Sequence, residues 1–336
     1  MMLIRPVQPS DLPYLVQLAQ KAGTGLTTLP NDPKHLQKKI DDSIQAFKKP
    51  AQEPGTEYYL FVLENTEDGS IVGTSGLAAA VGLSDPFYTY KVSHTVNSSR
   101  GLDKYRHHHV LVLGNDYTGC TEICTLFLDP AFRRNNNGRL LSKCRFLFMA
   151  EFPDGFSPTI IAEMRGVSDE NGTSPFWESL GRHFFDMDFA EADRLSGLGN
   201  SQFIADFMPK HPIYSALLSP QAQAVIGQVH QETKPALKML LREGFHYRQY
   251  VDIFDAGPTI EADRENLHTV AQNKRCTLSK IGPSQSGQQA LVANCQFDFR
   301  ATLAKVDIQE DECQVDSETA NLLQTNPGDP LRIYSI

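Results

Sequence analysis

Apolar and polar residues follow two rhythms along this chain, and the switches between them predict a mixed α/β protein. Residues 3–7, "LIRPV", read as a short strand. Leu12, Leu15, Val16 and Leu18 then follow helical spacing, with Ser10 placed to cap the helix. Gly23, Thr24 and Gly25 break it, and "GTGLTTLP" reads as a constrained loop. Residues 34–47 form a second helical stretch, closed by "KKPAQEPG", whose prolines and glycine forbid continuation. The strands "EYYLFVLE" and "SIVGTSGLAAAVG" flank "NTEDGS", whose Asp-Gly suits a tight hairpin. Residues 84–109 are polar and turn-rich, a long excursion. "HVLVLGN", "TEICTLFLD" and "TIIAEMRGV" return to strand character. Residues 138–152 read as a helix with Leu140, Leu141, Cys144, Leu147 and Phe148 on one face.

The second half predicts a helix at "SPFWESLGRHFF" entering a strand, then a strand at 224–229, "AVIGQV". A loop, a helix and an aromatic-rich strand follow in "HQETKPALKMLLREGFHYRQYVDIF". This order echoes the segment before it, which fits either a duplication or two independent strand–helix–strand units. After "DAGPT" (255–259) the pattern changes to short β-like runs between Gly, Pro and Asp clusters. The expected division is 1–190, then a second strand–helix–strand half at 191–257, then a small β-rich C-terminal piece at 258–336.

Composition narrows the class. With 336 residues, 40% apolar and 21% charged, the chain is of the ordinary soluble globular kind, with two domains or one domain plus an extension. No apolar run approaches the roughly 20 residues that span a bilayer. The start "MMLIRPVQPSDLP" lacks a basic region followed by an apolar stretch, so no export signal is expected. Six cysteines without a CxxC pair are expected as buried thiols of a reducing cytoplasm. A net charge of −9 argues against nucleic acid, which needs a basic face.

An anionic ligand must then be held locally, and "TLFLDPAFRRNNNGRLLSKCRF" (125–146) has the parts. A strand stops at Pro130, a turn of arginines and asparagines follows, and a helix opens at Gly138. Asn and Gly tolerate the positive φ that points successive amides inward. Free N–H groups at a helix start favour a phosphate, and Arg133 or Arg134 can add a planar fork. A strand with an open edge can bind the amide chain of pantetheine.

The order of strand, capped helix, hairpin, strand, turn and helix resembles the GNAT superfamily of N-acyltransferases, with Arg133, Asn136 and Gly138 in the places of its phosphate-binding turn. More narrowly, "GLTTLP", "CTLFLDPAFRRNNNGRLLSK", "AEMRGVSDENGTSPFWESLG", "MPKHPIY" and "VIGQVHQET", in that order, resemble the arginine N-succinyltransferase family over nearly the whole chain. The resemblance implies a mixed twisted sheet flanked by helices, with residues 1–190 as the acyl-CoA-binding half. It implies transfer of succinyl from succinyl-CoA, as co-substrate rather than resident cofactor, to the α-amine of L-arginine. It also implies His230 of "GQVH" as proton donor and Leu126 as an acyl-CoA contact through its backbone. Small-molecule substrates, no membrane, and a homo- or hetero-oligomer complete what it implies about partners. Another acyl-CoA-dependent amino-acid N-acyltransferase, or a non-catalytic acyl-CoA-binding subunit, is the alternative.

Other residues carry two readings. Glu163 and Arg165 share a face of one strand, with Asp169 and Glu170 in the loop beyond, and are either a substrate-binding pair or a structural ion pair with a solvated turn. Glu122 is a candidate base or an ordinary surface carboxylate. Cys120 and Cys124 read as buried thiols, Trp177 as a core anchor. His107, His108 and His109 alternate in direction and lack partners at metal-ligand spacing, so no metal is expected.

Overall fold

The computed structural model describes residues 1–23, 26–170, 172–198, 202–283 and 287–336. Thr24 and Gly25, part of the expected helix break, lie outside the described residues. Strand β1 (Met2–Pro6) leads through a 3-10 turn into helix α1 (Leu12–Ala22), and helix α2 (Pro33–Ala46) follows. Asp11, not the expected Ser10, organises the start of α1. Its Oδ2 accepts from the Gln8 amide at 2.8 Å, and both its oxygens accept from Arg5, at 2.8 and 2.9 Å. A carboxylate can accept from the amide and take both prongs of the guanidinium with its charge, whereas a hydroxyl offers one neutral oxygen. Asp32 caps α2 by accepting from the His35 amide at 2.8 Å, and Pro33 sits in the first turn, where a missing N–H costs nothing.

Strands β2 (Tyr58–Asn65) and β3 (Ser70–Ala78) form the expected hairpin, with Gly69 at φ 72° in its turn. Residues 84–109 differ from expectation. Most of them belong to β4 (Thr89–Ser99) and β5 (Lys104–Gly114), a long antiparallel ribbon. Its outer end is exposed, so it needs no apolar alternation and shows no strand period in the sequence. His107, His108 and His109 pair across it to Val96, Thr95 and His94.

Strand β6 (Thr121–Leu128), helix α3 (Asn137–Glu151) and strand β7 (Thr159–Glu163) follow. Four short helices come next: α4 (Pro175–Ser179), α5 (Gly181–Phe185), α6 (Phe189–Gly197) and α7 (Gln202–Phe207). Strand β8 (Ile213–Tyr214) and helices α8 (Pro220–Val225) and α9 (Lys234–Glu243) lead to strand β9 (His246–Val251). Two expected strands are absent here. Phe184 and Phe185 belong to α5, and 224–229 is the end of α8 plus a turn. Ser219 accepts from the Ala222 amide at 3.2 Å with Pro220 in the first turn, a helix start that outweighs the β propensity of Val225 and Ile226. Trp177 is fully buried, stacked between Phe185 and Phe254 at 5.3 and 5.5 Å, and donates from Nε1 to the Met187 carbonyl at 3.0 Å.

Strand β10 (Pro258–Asp263) lies between β7 and β9, so the chain is still inside the central sheet just past residue 258. After helix α10 (His268–Gln272) come β11 (Lys274–Ile281), β12 (Gln288–Asn294), β13 (Ala301–Gln309), β14 (Glu312–Val315), helix α11 (Ser317–Leu323) and β15 (Pro330–Ser335). β12 pairs with both β15 and β13, which closes these five strands on themselves around Leu278, Val292, Val306 and Leu323. β13 also pairs with β1, and Thr302 Oγ1 donates to the Met2 carbonyl at 2.7 Å, tying the C-terminal strands to the N-terminal edge of the main sheet.

Function turns on the middle of the sheet. β6 and β7 are parallel and pair only at Thr121↔Ile160 and Glu122↔Ile161, then separate. On its other side β6 pairs with β3 in a register that shifts between Thr74 and Gly76, and Thr125 stands at φ 52° in that bulge. A bulge adds local twist and bends its strand, which opens the cleft on the β7 side. Helix α3 covers one side of the sheet through Leu140, Leu141, Leu147 and Phe148, all fully buried.

Candidate active site

The separation of β6 and β7 leaves a cavity of about 530 Å³, with walls from β6, β7, the start of α3, α9 and the loop after α1. Beyond Glu122 the β7-facing edge of β6 has no strand partner among the described residues. Leu126 lies on this free edge and lines the cavity. Thr28 braces the bulge, its Oγ1 accepting from the Thr125 amide at 3.1 Å.

At the mouth, Asn135 and Asn136 adopt left-handed φ of 51° and 62° before α3 begins. The amides of Gly138 and Arg139 meet no acceptor among the described residues, and no side chain caps the helix. Arg133, Arg134 and Arg139 are exposed around them without carboxylate partners among the described residues, although Arg133 Nε donates to the Leu128 carbonyl at 3.1 Å. Gly138 lines the cavity with only Leu128 near its missing Cβ, at 3.9 Å. Free amides at a helix start beside exposed guanidiniums are a combination that suits an anion. Asn136→Ala should cost about 1 kcal/mol of stability through the left-handed residue and weaken CoA binding, whereas Asn136→Gly should keep both. Urea unfolding and CoA titration calorimetry check this.

Deeper in, Glu122 is only 8% exposed and accepts no hydrogen bond from the described residues. Burial pushes its carboxyl up to about 7, against the opposing pull of Lys39 and Arg145. Such a group can take a proton near neutrality. Lys39 donates to the Thr28 carbonyl at 3.0 Å and lies 4.7 Å over the Tyr58 ring, its ammonium pKa lowered by burial. Cys124 faces Tyr58, and burial lifts its thiol to about 11, so it is protonated near pH 7 and poorly suited to nucleophilic attack. Cys120 is also raised by burial.

The opposite wall is acidic. Glu163 at the end of β7, and Asp252 and Asp255 after β9, line the cavity together. Burial raises all three carboxyls, Glu163 and Asp255 most, and their mutual repulsion adds to it in Glu163 and Asp255. Asp255 is locked by backbone donors, the amides of Gly166 at 2.6 Å and Gly257 at 2.8 Å. Both glycines are required by the packing: a Cβ on Gly166 would come within 2.5 Å of the Asp255 carbonyl, and one on Gly257 within 2.6 Å of the Gly166 amide. Glu163 has no hydrogen-bond donor among the described residues. Arg165 also lines the cavity but does not pair with Glu163. It lies 3.7 Å from Glu232 and donates to Ser168 Oγ at 3.2 Å, while its buried Nε has no partner among the described residues. The wall therefore gathers carboxyls whose ionisation burial suppresses and a cationic ligand would restore, an environment that favours such a ligand.

His230 stands beside the cavity rather than in its wall. Its neighbours Arg165, Glu232 and Thr233 line the cavity, and its amide donates to the Arg165 carbonyl at 2.9 Å. The side chain is 19% exposed, and Nδ1 accepts from the Glu232 amide at 3.3 Å, which leaves the neutral ring's proton on Nε2. Burial and then Arg165 lower its pKa, with Glu232 opposing.

Several of these residues carried no signal of their own in the sequence. Asp252 and Asp255 lie in "VDIFDAGPT", which reads as a strand end and a boundary. Lys39 hides in a polar helix. Arg145 did leave a signal, as the one charge inside the apolar run "CRFLFM".

Comparison with known proteins places the chain in a family. The arginine N-succinyltransferase beta subunit family matches residues 2–269, and its C-terminal domain matches 274–335. The arginine N-succinyltransferase of Enterobacter sp. (strain 638) is 49% identical over 340 aligned positions, covering 100% of this chain and 98% of that protein. That of Escherichia coli (strain 55989 / EAEC) is 47% identical with the same coverage. The structure of arginine/ornithine succinyltransferase subunit AI from Pseudomonas aeruginosa matches with a TM-score of 0.92 at 36% identity, covering 100% of this chain and 98% of that one. The cleft, the free strand edge and the full-length matches lead to one conclusion: this chain belongs to the arginine N-succinyltransferase family.

Proposed function

We propose that the chain transfers the succinyl group of succinyl-CoA to the α-amine of L-arginine, giving N2-succinyl-L-arginine and free CoA. The observation that carries this reading is one cavity with an anion-binding mouth and an acidic wall, joined by the free edge of β6. The pyrophosphate meets the turn of Arg133 and Asn136 and the amide of Gly138. Pantetheine runs along the backbone near Leu126. The guanidinium of the acceptor faces Glu163 and its neighbours, and Arg165 lies beside it, within reach of the acceptor carboxylate.

The reaction is direct. The neutral amine attacks the thioester carbonyl, the new N–C bond forms, and the C–S bond breaks with its electrons on sulfur. The amine proton passes to Glu122, directly or through water. The thiolate, with a pKa like that of cysteine near 8.5, takes a proton from His230. The pKa of His230 is low in the free chain, but negative charge growing on the sulfur favours the imidazolium. Because the leaving group is good, His230→Ala should lower kcat by only about 10², the low end for acid catalysis, with CoA affinity kept. Unchanged turnover would remove His230 from the mechanism.

The whole reading is tested by following free thiol release with succinyl-CoA and arginine, then with a panel of amines including ornithine. No thiol release under conditions where CoA binds would overturn it, and a clear preference for another amine would reassign the acceptor. The relatives' names as subunits support assembly with a second copy or a related chain.

A further inference from the structure

Arg145 is the largest charged side chain enclosed in the sheet–helix core, 1% exposed, yet it lines the cavity. It makes no ion pair among the described residues. Its Nε donates to the Ser142 carbonyl at 3.1 Å, Nη1 to the Cys124 carbonyl at 3.3 Å, and Nη2 to Ser142 Oγ at 3.2 Å. A guanidinium has five N–H donors, so these three bonds leave two unspent. The charge of Glu122 also acts on it, but from outside ion-pair distance. Burying a guanidinium without its counter-charge costs several kcal/mol, and an apolar residue would fill the same space on α3 more cheaply. The cost makes sense where a ligand supplies the missing anion.

Position says which anion. Arg145 donates to the carbonyl of Cys124, two residues before Leu126 on the free edge of β6. Two residues of strand are about 7 Å. A four-carbon diacid spans about 4 Å between its end carbons, and a charge-assisted hydrogen bond adds about 2.8 Å. With the thioester held at Leu126, the far carboxylate of a succinyl group reaches Arg145. From this geometry we infer that Arg145 is the receptor for the free carboxylate of the acyl group and selects a dicarboxylic acyl-CoA over a neutral one. The inference rests on the proposed path of the coenzyme along β6 and adds a specificity residue to it.

The test compares succinyl-CoA with butyryl-CoA, which has the same chain length and no charge. Arg145→Gln should lower the ratio of their kcat/KM values about 10- to 100-fold, the worth of one hydrogen bond to a charged group. Arg145→Lys should keep part of it. An unchanged ratio, with both acyl-CoAs falling alike, would make Arg145 a mere brace of the bulge and overturn the inference. A second arm needs no variant. A crystal of the natural chain with a thioether analogue of succinyl-CoA should place the free carboxylate on the Arg145 guanidinium, and a carboxylate bound elsewhere sinks the idea. The two readings fail separately. A chain that binds the analogue at Arg145 but acylates no amine loses the proposed activity alone, and an active enzyme with the carboxylate elsewhere loses this inference alone.

Discussion

Glu122→Gln is expected to lower kcat by about 10²–10⁴, the range for losing a general base, while leaving the KM for succinyl-CoA close to its original value. The reason lies in where β6 is bent. Glu122 is the last residue of β6 that pairs with β7, so its carboxyl stands where the two strands part and the cavity begins. Buried there, it holds its proton up to about pH 7, unlike a surface glutamate. The base must be ionised and His230 protonated to act, so kcat/KM should follow a bell in which Glu122, titrating at about 7, governs one limb. In Glu122→Gln that limb should vanish along with most of the rate. A variant that kept both the rate and the limb would return Glu122 to a structural role.

Glu163→Gln should raise the KM for arginine about 10²-fold with little change for succinyl-CoA, since a charge-assisted pair is reduced to a neutral hydrogen bond. The same change should stabilise the free protein at alkaline pH. The folded-state pKa of Glu163 lies well above its ordinary 4.5, because burial and the nearby Asp252, Glu122 and Asp255 disfavour the charge. A group raised in this way contributes stability below its unfolded pKa and loses it as pH rises through the folded one. Glutamine carries no such charge, so the melting temperature of Glu163→Gln should exceed that of the natural chain at pH 8, with the gap closing towards pH 4.5. Better stability with poorer arginine binding is the signature of a site that holds strain for its ligand. A variant that lost stability at pH 8 would mark Glu163 as part of the scaffold.

Local chemistry made the turn before α3 legible. The turn at Arg133, Asn136 and Gly138 is a run of neighbours whose φ preferences and charges act within a few residues, and two of its asparagines do adopt left-handed φ. Apolar spacing likewise located α1, α2, α3 and the β2–β3 hairpin. Spacing failed where burial did not impose a period. The β4–β5 ribbon extends into solvent and reads as a polar excursion. At 224–229 two β-branched residues outweighed the Ser-Pro helix start in the sequence reading.

By itself, then, the amino-acid sequence determined the helices and strands with strong periodicity, the left-handed turn before α3, and, through ordered motifs, the family. Tertiary structure alone decided that a bulge at Thr125 parts β6 from β7, that Glu122, Glu163, Asp252 and Asp255 share one cavity, and that Arg145 is buried without a counter-ion among the described residues. The physical reason is desolvation. A carboxylate's proton affinity, and the demand of a guanidinium for an anion, depend on how much water the fold removes and which charges it brings near from distant strands.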